Sequence, residues 1–435
     1  MTQPGDLVEI KTHAQTEQGI LMPDPDEKAV IIKLDNGYNL GFERKDILSI
    51  KLIEKRKETE IKKEEKNFDK KKKTIVILHT GGTIASKVDY KTGAVSAKFT
   101  AEDLLEMFPE LNEVANIETE LVSNMMSEDM MFGNYQKIAE AIKKHAKKNI
   151  AGIIVGHGTD TLGYTAAALS FMLEKINIPV LVVGSQRSSD RGSTDATQNL
   201  ICAAEFITKT KFAGVAICMH NSSNDDYCAI LPATKTRKMH TSRRDAFKAI
   251  NDSPIALVDY NKRKVKFLKN DYTTKSKDKE TILKEKFSKN VGLLKVHPGI
   301  GSQLFKFFTE NYKAFVIEGT GLGHAPTNVG INLKNYEALK HFIKKGGVVA
   351  ITSQCLFGAV HPYVYTNLRR LSEIGCIFCG DMLPETAFIK LSWLLGNYPI
   401  SEAKELMAKN LRGEINEQIS FEKDFIGRTL QGLII

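Results

Sequence analysis

Two short glycine turns carry the residues of this chain whose types and spacing suit chemistry. His79-Thr80-Gly81-Gly82-Thr83-Ile84-Ala85 follows the apolar run Thr74–Leu78, and Gly156-His157-Gly158-Thr159-Asp160-Thr161 follows Gly152–Val155. Glycine lets backbone N–H groups approach a ligand, and a helix N-terminus behind such a turn favours an anion or a developing oxyanion. A diglycine turn by itself also serves close packing or phosphate binding. The phosphate loop fails on detail, because no Gly-Lys-Ser/Thr follows either turn.

The thiols point elsewhere than to a metal. Cys202, Cys218, Cys228, Cys355, Cys376 and Cys379 are too few for a disulfide scaffold in 435 residues. Cys376-Ile-Phe-Cys379 has CxxC spacing, but no second pair or His cluster accompanies it. Set beside Ile374 and Phe378, these two read as small apolar core residues and no metal is expected.

The turns must be held by a scaffold, and the pattern around them alternates buried strands with amphipathic helices. Thr74–Leu78, Gly152–Val155, Pro179–Gly184 and Gly214–Cys218 read as strands, while Tyr135, Ile138, Ala139, Ile142 and Ala146 recur at helical spacing. This predicts a parallel α/β sheet with its ligand site outside the carboxyl ends of the strands. Ala314–Ile317 and Val348–Ile351 restart the theme in a smaller C-terminal domain. The first fifty residues differ: alternation over Leu7–Thr12 and Ala29–Leu34, with Asp35-Asn36-Gly37 as a tight turn, predicts a small SH3- or Tudor-like β-barrel. Such a barrel is a docking module or a cap on the main body. The expected division is a barrel over 1–50, a charged linker over 51–73, a larger α/β domain over 74–265, and a linker with the smaller α/β domain over 266–435.

In combination, Thr80-Gly-Gly-Thr83-Ile-Ala85 and His157-Gly-Thr-Asp-Thr161 resemble the two signatures of the bacterial-type L-asparaginase/glutaminase family. Ser127-Glu128-Asp129-Met130, Gly184-Ser-Gln-Arg187 and Ala233-Thr-Lys-Thr-Arg237 fall in matching order, so the resemblance runs from Thr74 to the C-terminus. It implies an asparaginase-like α/β fold and amide hydrolysis through a threonine. Thr83 is then the residue that attacks the amide carbon, ahead of Thr159, and Thr159, Asp160 and Lys235 form a second constellation that activates water or the nucleophile. A free hydroxyl needs a base, and a lysine desolvated beside an aspartate can shuttle its proton. The resemblance assigns Ser127 to the substrate's α-carboxylate and Asp160 also to its α-ammonium. Tyr90 lies in the tract Ser86–Lys98, where the family has a mobile lid with a tyrosine; an ordinary loop residue is the other reading. Glu128 stands where the family commonly has glutamine. His324, in Gly319-Thr-Gly-Leu-Gly-His324, stands where many members supply an asparagine from a neighbouring subunit.

The barrel and tether are not features of free-standing asparaginases. With the changed pocket, they resemble the D-subunit family of archaeal-type glutamyl-tRNA(Gln) amidotransferases over essentially the whole length. This implies a glutaminase that releases ammonia from glutamine for a partner E subunit. That partner uses ATP and Mg²⁺ to activate and amidate Glu-tRNA(Gln). No cofactor is expected in this chain, and a homodimer within a heterotetramer is. A free-standing L-asparaginase and a catalytically silent scaffold are the alternatives.

The charge is concentrated. Lys51–Lys73 holds 11 basic against 6 acidic residues and Asn261–Asn290 holds 11 against 4, so these two stretches carry +12 and the rest of the chain, at a net +9 overall, is slightly acidic. They read either as solvated linkers or, given the resemblance, as contacts to the partner or tRNA. No run of apolar residues is long enough to span a membrane, and a cytoplasmic protein is expected.

Overall fold

Val8, Ile10, Leu21, Val30, Ile32 and Phe42 recur on alternate positions, so the pleat brings them to one face, where they form a separate small core. The computed structural model describes residues 2–3, 5–22, 29–34, 39–55, 69–81, 87–88, 95–96, 107–187, 194–276 and 280–418. The small core is wrapped by β1 (Leu7–Thr12), β2 (Thr16–Leu21), β3 (Ala29–Lys33), β4 (Asn39–Glu43) and β5 (Ile47–Glu54), in the antiparallel order β4-β3-β2-β1-β5. Lys33 pairs with Asn39 across the expected hairpin, whose tip at 35–38 lies outside the described residues. The register of β1 against β5 slips at Leu7/Val8 and at Lys11/Thr12. Such irregularities increase local twist and let a short sheet coil around its core. Strand β5 runs on to Glu54, so the module passes the expected boundary at residue 50.

Residues 56–68 of the charged linker lie outside the described residues. Its end is pinned to the body: the Asn116 amide donates to Asp69 O at 2.9 Å and to Lys72 O at 3.1 Å.

The larger domain follows with β6 (Thr74–His79), the short pair β7 (Lys87–Val88) and β8 (Val95–Ser96), α1 (Leu111–Val114), β9 (Asn116–Leu121), α2 (Phe132–Ala146), β10 (Gly152–Gly156), α3 (Leu162–Met172), β11 (Leu173–Glu174), β12 (Pro179–Val183), α4 (Ala196–Lys209), β13 (Gly214–His220), β14 (Tyr227–Pro232), the hairpin β15 (Thr236–Lys238) and β16 (Phe247–Ala249), β17 (Ala256–Asp259) and β18 (Lys264–Phe267). Its main sheet has the order β18-β17-β14-β13-β12-β10-β6-β9. Strands β9, β6, β10, β12 and β13 are parallel, with helices on both faces, which is why they read as unbroken Val/Ile/Leu runs. The remaining strands are antiparallel, so the sheet is mixed and the expectation of a purely parallel one is corrected. After β13, short connections (221–226 and 260–263) and the β15–β16 hairpin excursion between β14 and β17 replace crossover helices.

A second correction concerns the basic stretch after Asn261. It is not wholly a solvated linker: β18 crosses the expected domain boundary at 265 and closes the sheet, with Lys264 and Lys266 outward on its edge. Thr273 O then accepts the Ala213 N–H at 2.8 Å.

The smaller domain begins after β19 (Ile282–Leu283) with β20 (Val291–Lys295), α5 (Ser302–Asn311), β21 (Ala314–Gly319), α6 (Leu333–Lys344), β22 (Val348–Ser353), α7 (Thr366–Glu373), β23 (Ile377–Phe378), α8 (Pro384–Asn397) and α9 (Ile400–Met407). Strands β20-β21-β22-β23 are parallel. Helix α3 is apolar on every side, so it must be covered all round, and α8 of the smaller domain covers it: Phe171 stacks on Trp393 at 5.5 Å between centroids. One continuous core therefore spans both domains, from Val155 and Leu169 to Val316 and Ala350. Among the described residues, no helix is long and apolar enough to cross a membrane.

Candidate active site

The first glycine turn leaves the carboxyl end of β6 and is clamped to its neighbour. Thr80 donates from its hydroxyl to Gly156 O at 2.9 Å and from its N–H to the same oxygen at 3.1 Å. Gly81 follows at φ +102°, and a Cβ there would lie 2.4 Å from Met125 O. Only glycine fits both the backbone angle and the close approach. Thr83 and Tyr90 lie outside the described residues, as does most of the tract Ser86–Lys98.

The second turn leaves the adjacent strand β10. His157 is fully buried, its Nδ1 2.7 Å from Gly158 O and its Nε2 2.8 Å from Thr165 Oγ1. A carbonyl only accepts, so Nδ1 carries the hydrogen and Nε2 accepts from Thr165. Burial pushes the imidazole pKa down to about 4, and the side chain is a neutral brace under the turn. Above it, the Lys238 ammonium donates to Thr159 Oγ1 at 2.9 Å and to Asp160 Oδ1 at 2.8 Å. Thr159 in turn donates to Gln186 Oε1 at 3.3 Å.

Gln186 sits on the turn after β12, which is organised by one buried carboxylate. Asp195 accepts from Ser185 Oγ at 2.8 Å, Gln186 N at 3.1 Å, Arg187 N at 3.0 Å and the Asn199 amide at 3.1 Å. Asn199 Oδ1, an acceptor only, takes the hydrogen of His220 Nδ1 at 2.7 Å. Three neighbouring parallel strands thus deliver three turns to one end of the sheet. Ser127 is buried beside the second of them: Thr161 Oγ1 donates to Ser127 O at 2.6 Å, and a Cβ at Gly158 would lie 2.9 Å from the Ser127 hydroxyl. Glu128, next to it, is exposed.

One expected site residue, Lys235, is placed away from this group. Lys235 is fully buried and its ammonium bonds the Asp381 carboxylate of the smaller domain, so it does not hold Thr159 and Asp160. Desolvation pulls its pKa below the usual lysine range, against the opposing pull of Asp381. The lysine that does reach the turn is Lys238, at the far end of β15. Both lysines lie in one short tract, Lys235-Thr-Arg-Lys238, and residue type alone does not separate them. The register of β15 on β16, with Lys238 opposite Phe247, is what carries one to the site and leaves the other at the domain junction. His324 lies in the loop after β21, and its ring packs edge-on against Tyr365 at 5.2 Å. Cys376 and Cys379 are both buried, and among the described residues no group of three or more His, Cys, Asp or Glu is arranged to hold a metal ion.

The arrangement can polarise a hydroxyl with an ammonium, pair that ammonium with a carboxylate and hold the whole at the carboxyl end of a sheet. Fold and site together define the asparaginase/glutaminase class. Residues 74–272 match the asparaginase N-terminal domain, 290–407 the glutaminase/asparaginase C-terminal domain, and 2–53 the GatD N-terminal domain. An L-asparaginase from Thermococcus kodakarensis superposes with a TM-score of 0.71 at 30% identity, over 79% of this chain and 100% of that one. L-asparaginase I from Vibrio cholerae gives 0.69 at 28%, over 79% and 99%. Those structures account for 79% of this chain, whereas full-length relatives account for nearly all of it. The D subunit of glutamyl-tRNA(Gln) amidotransferase from Methanococcus maripaludis strain C6 is 44% identical over 422 residues, covering 96% of this chain and 99% of the relative. Its counterpart from Thermococcus kodakarensis is 44% identical over 430 residues, 96% of each. The chain belongs to the family of glutamyl-tRNA(Gln) amidotransferase D subunits.

Proposed function

We propose that this chain is the glutaminase subunit of a tRNA-dependent amidotransferase, hydrolysing glutamine to glutamate and ammonia. The observation that carries the reading is the Lys238 ammonium held between Thr159 Oγ1 and Asp160 Oδ1. It is supported by the relatives' identity over both the catalytic body and the N-terminal module.

In this reading, a threonine hydroxyl oxygen attacks the side-chain amide carbon of glutamine, with Thr83 as the nucleophile. Its proton passes along Thr159, Lys238 and Asp160 and is delivered to the departing nitrogen, which leaves as ammonia. Water then attacks the acyl ester, releasing glutamate and restoring the hydroxyl. Lys238 takes the role expected of Lys235. Ser127 and Asp160 hold the α-carboxylate and α-ammonium of the substrate, Tyr90 and Glu128 complete its pocket, and His324 is contributed from the neighbouring subunit of the homodimer. The chain binds no cofactor of its own. The ammonia serves an E subunit that activates Glu-tRNA(Gln) with ATP and Mg²⁺, in a heterotetramer built on a homodimer of this chain.

Ammonia release from glutamine, with and without the E subunit and Glu-tRNA(Gln), tests the reading. Lys238→Ala should lower kcat by about 10²–10⁴-fold with the fold intact, the usual worth of a proton relay. Strong turnover of asparagine without the partner, or an active Lys238→Ala protein, would overturn it.

A further inference from the structure

The segment after α9 crosses the domain junction and grips both ends of the β15–β16 hairpin that presents Lys238. On the incoming side, Thr234 Oγ1 donates to Arg412 O at 3.1 Å, and Lys235 bonds Asp381. Asp381 is itself held by this segment: it accepts from Asn416 N at 2.9 Å and from the Asn416 amide at 2.9 Å. On the outgoing side, the same Asn416 amide donates to Asn251 O at 2.6 Å. The segment is fixed in place by Glu414, fully buried against Lys390 at 2.6 Å and accepting the N–H groups of Leu411 and Arg412 at 3.0 and 2.6 Å. Arg412 adds bonds to Ser170 O at 3.0 Å and to Glu174 at 3.1 Å on the larger domain. These residues lie beyond the stretch matched to the C-terminal domain of the asparaginase family, which ends at 407.

We infer that residues 409–416 act as a strap whose Asn416–Asp381–Lys235 chain positions the catalytic hairpin, and through it Lys238, for amide hydrolysis. Lys235, Asp381 and Asn416 are positioning residues: they touch neither Thr159 nor Asp160, but they hold the hairpin whose end does. Lys238 bonds two groups on another turn, so a small shift of the hairpin lengthens both bonds together. Hydrogen bonds are directional and weaken steeply with distance and angle, so a junction built of them resists small displacements of the hairpin. The inference rests on the glutaminase reading above.

The test uses the full chain with its E partner, assayed for ammonia release well below the unfolding midpoint of each variant. Asn416→Ala keeps the Lys235–Asp381 pair and the backbone N–H of residue 416 on Asp381, and removes the two amide bonds, to Asn251 O and to Asp381 Oδ2. Its kcat should fall about tenfold, the scale expected when a reacting group is misplaced by a fraction of an ångström, while KM for glutamine stays near wild type. The pH profile of kcat should also move, because the surroundings of Lys238 change. Lys235→Arg, which retains the ion pair, should keep most of the activity that Lys235→Met loses. Wild-type kcat and pH profile in folded Asn416→Ala and Lys235→Met proteins would overturn the strap. If Lys238→Ala also stays active, it is the glutaminase reading that has failed; if Lys238→Ala is inactive, only the strap has.

Discussion

His157 and Lys238 show how little a residue's type says about its task until its partners are known. His157 lies in the sequence signature, yet its two ring nitrogens are committed to Gly158 O and Thr165 Oγ1 and it faces no solvent. It has no capacity left for proton transfer near neutrality, since its pKa is driven to about 4 by burial, as is that of His79. Both values lie below the 6.5 of an unfolded histidine, so between pH 6.5 and 4 the unfolded chain binds more protons than the folded one. Stability therefore falls as pH drops through that window, by about 2 kcal/mol for each histidine at pH 5. Urea unfolding at pH 7.5 and pH 5 should reveal this loss, and a flat profile would mean that neither ring is held neutral. Thr159 and Asp160 were legible as a pair because they are adjacent in one turn. Lys238 was not, because the contact that selects it over Lys235 is made across the fold.

At the scale of elements, the turns are more demanding than the strands that launch them. Any apolar β-former sustains β6 or β10, but the turn after β6 needs a residue with positive φ and no side chain. Gly81→Ala meets both the left-handed backbone penalty and the Met125 carbonyl at 2.4 Å. It should cost about 2 kcal/mol in stability and, by displacing the segment leading to Thr83, lower glutaminase kcat about a hundredfold. Unfolding midpoints together with ammonia assays check this; an alanine protein with wild-type stability and rate would show that the turn adapts. The β14–β17–β18 strands were the least legible elements. β14 and β17 pair across the excursion 233–255 that carries the β15–β16 hairpin, and only β17 and β18 are joined by a short turn, whereas the alternation of strand and helix upstream predicts parallel order throughout. Strand β18 also reads as solvated because its lysines guard a sheet edge, where charge blocks pairing with another chain.

The whole molecule is two bodies of different kinds. The N-terminal module has its own core, with Val8, Ile10 and Ile32 fully buried, and it meets the α/β body through the charged tether. The catalytic body shares one core across two domains, joined by Phe171 on Trp393 and by the Lys235–Asp381 and Arg412–Glu174 pairs. Removing residues 1–55 should leave glutamine hydrolysis by the chain alone within about twofold, because a domain with its own core folds and is lost independently. Coupling to the E subunit and Glu-tRNA(Gln) should weaken markedly, as read by Gln-tRNA formed per ammonia released. Equal coupling in the shortened chain would reduce the module to a cap. Part of the basic excess has structural work within the body: Lys73 donates to Thr208 O at the end of α4, and Lys275 donates to Ala151 O. Cations at a helix C-terminus are favourable there, so the charge of these stretches is not all available to a partner.

The amino-acid order alone was enough for the alternation of elements, the small β module and the placing of Thr80-Gly81 and Thr159-Asp160 after two strands. Those features rest on periodicity and on turn chemistry, which act over a few neighbouring residues. Tertiary structure decided which lysine meets Thr159, why Lys235 is buried, how the sheet changes from parallel to antiparallel order and where the domains join. Each of those depends on groups brought together from distant parts of the chain. Thr159 meets Lys238, and Lys235 meets Asp381, only after hairpin register and domain packing have set the distances.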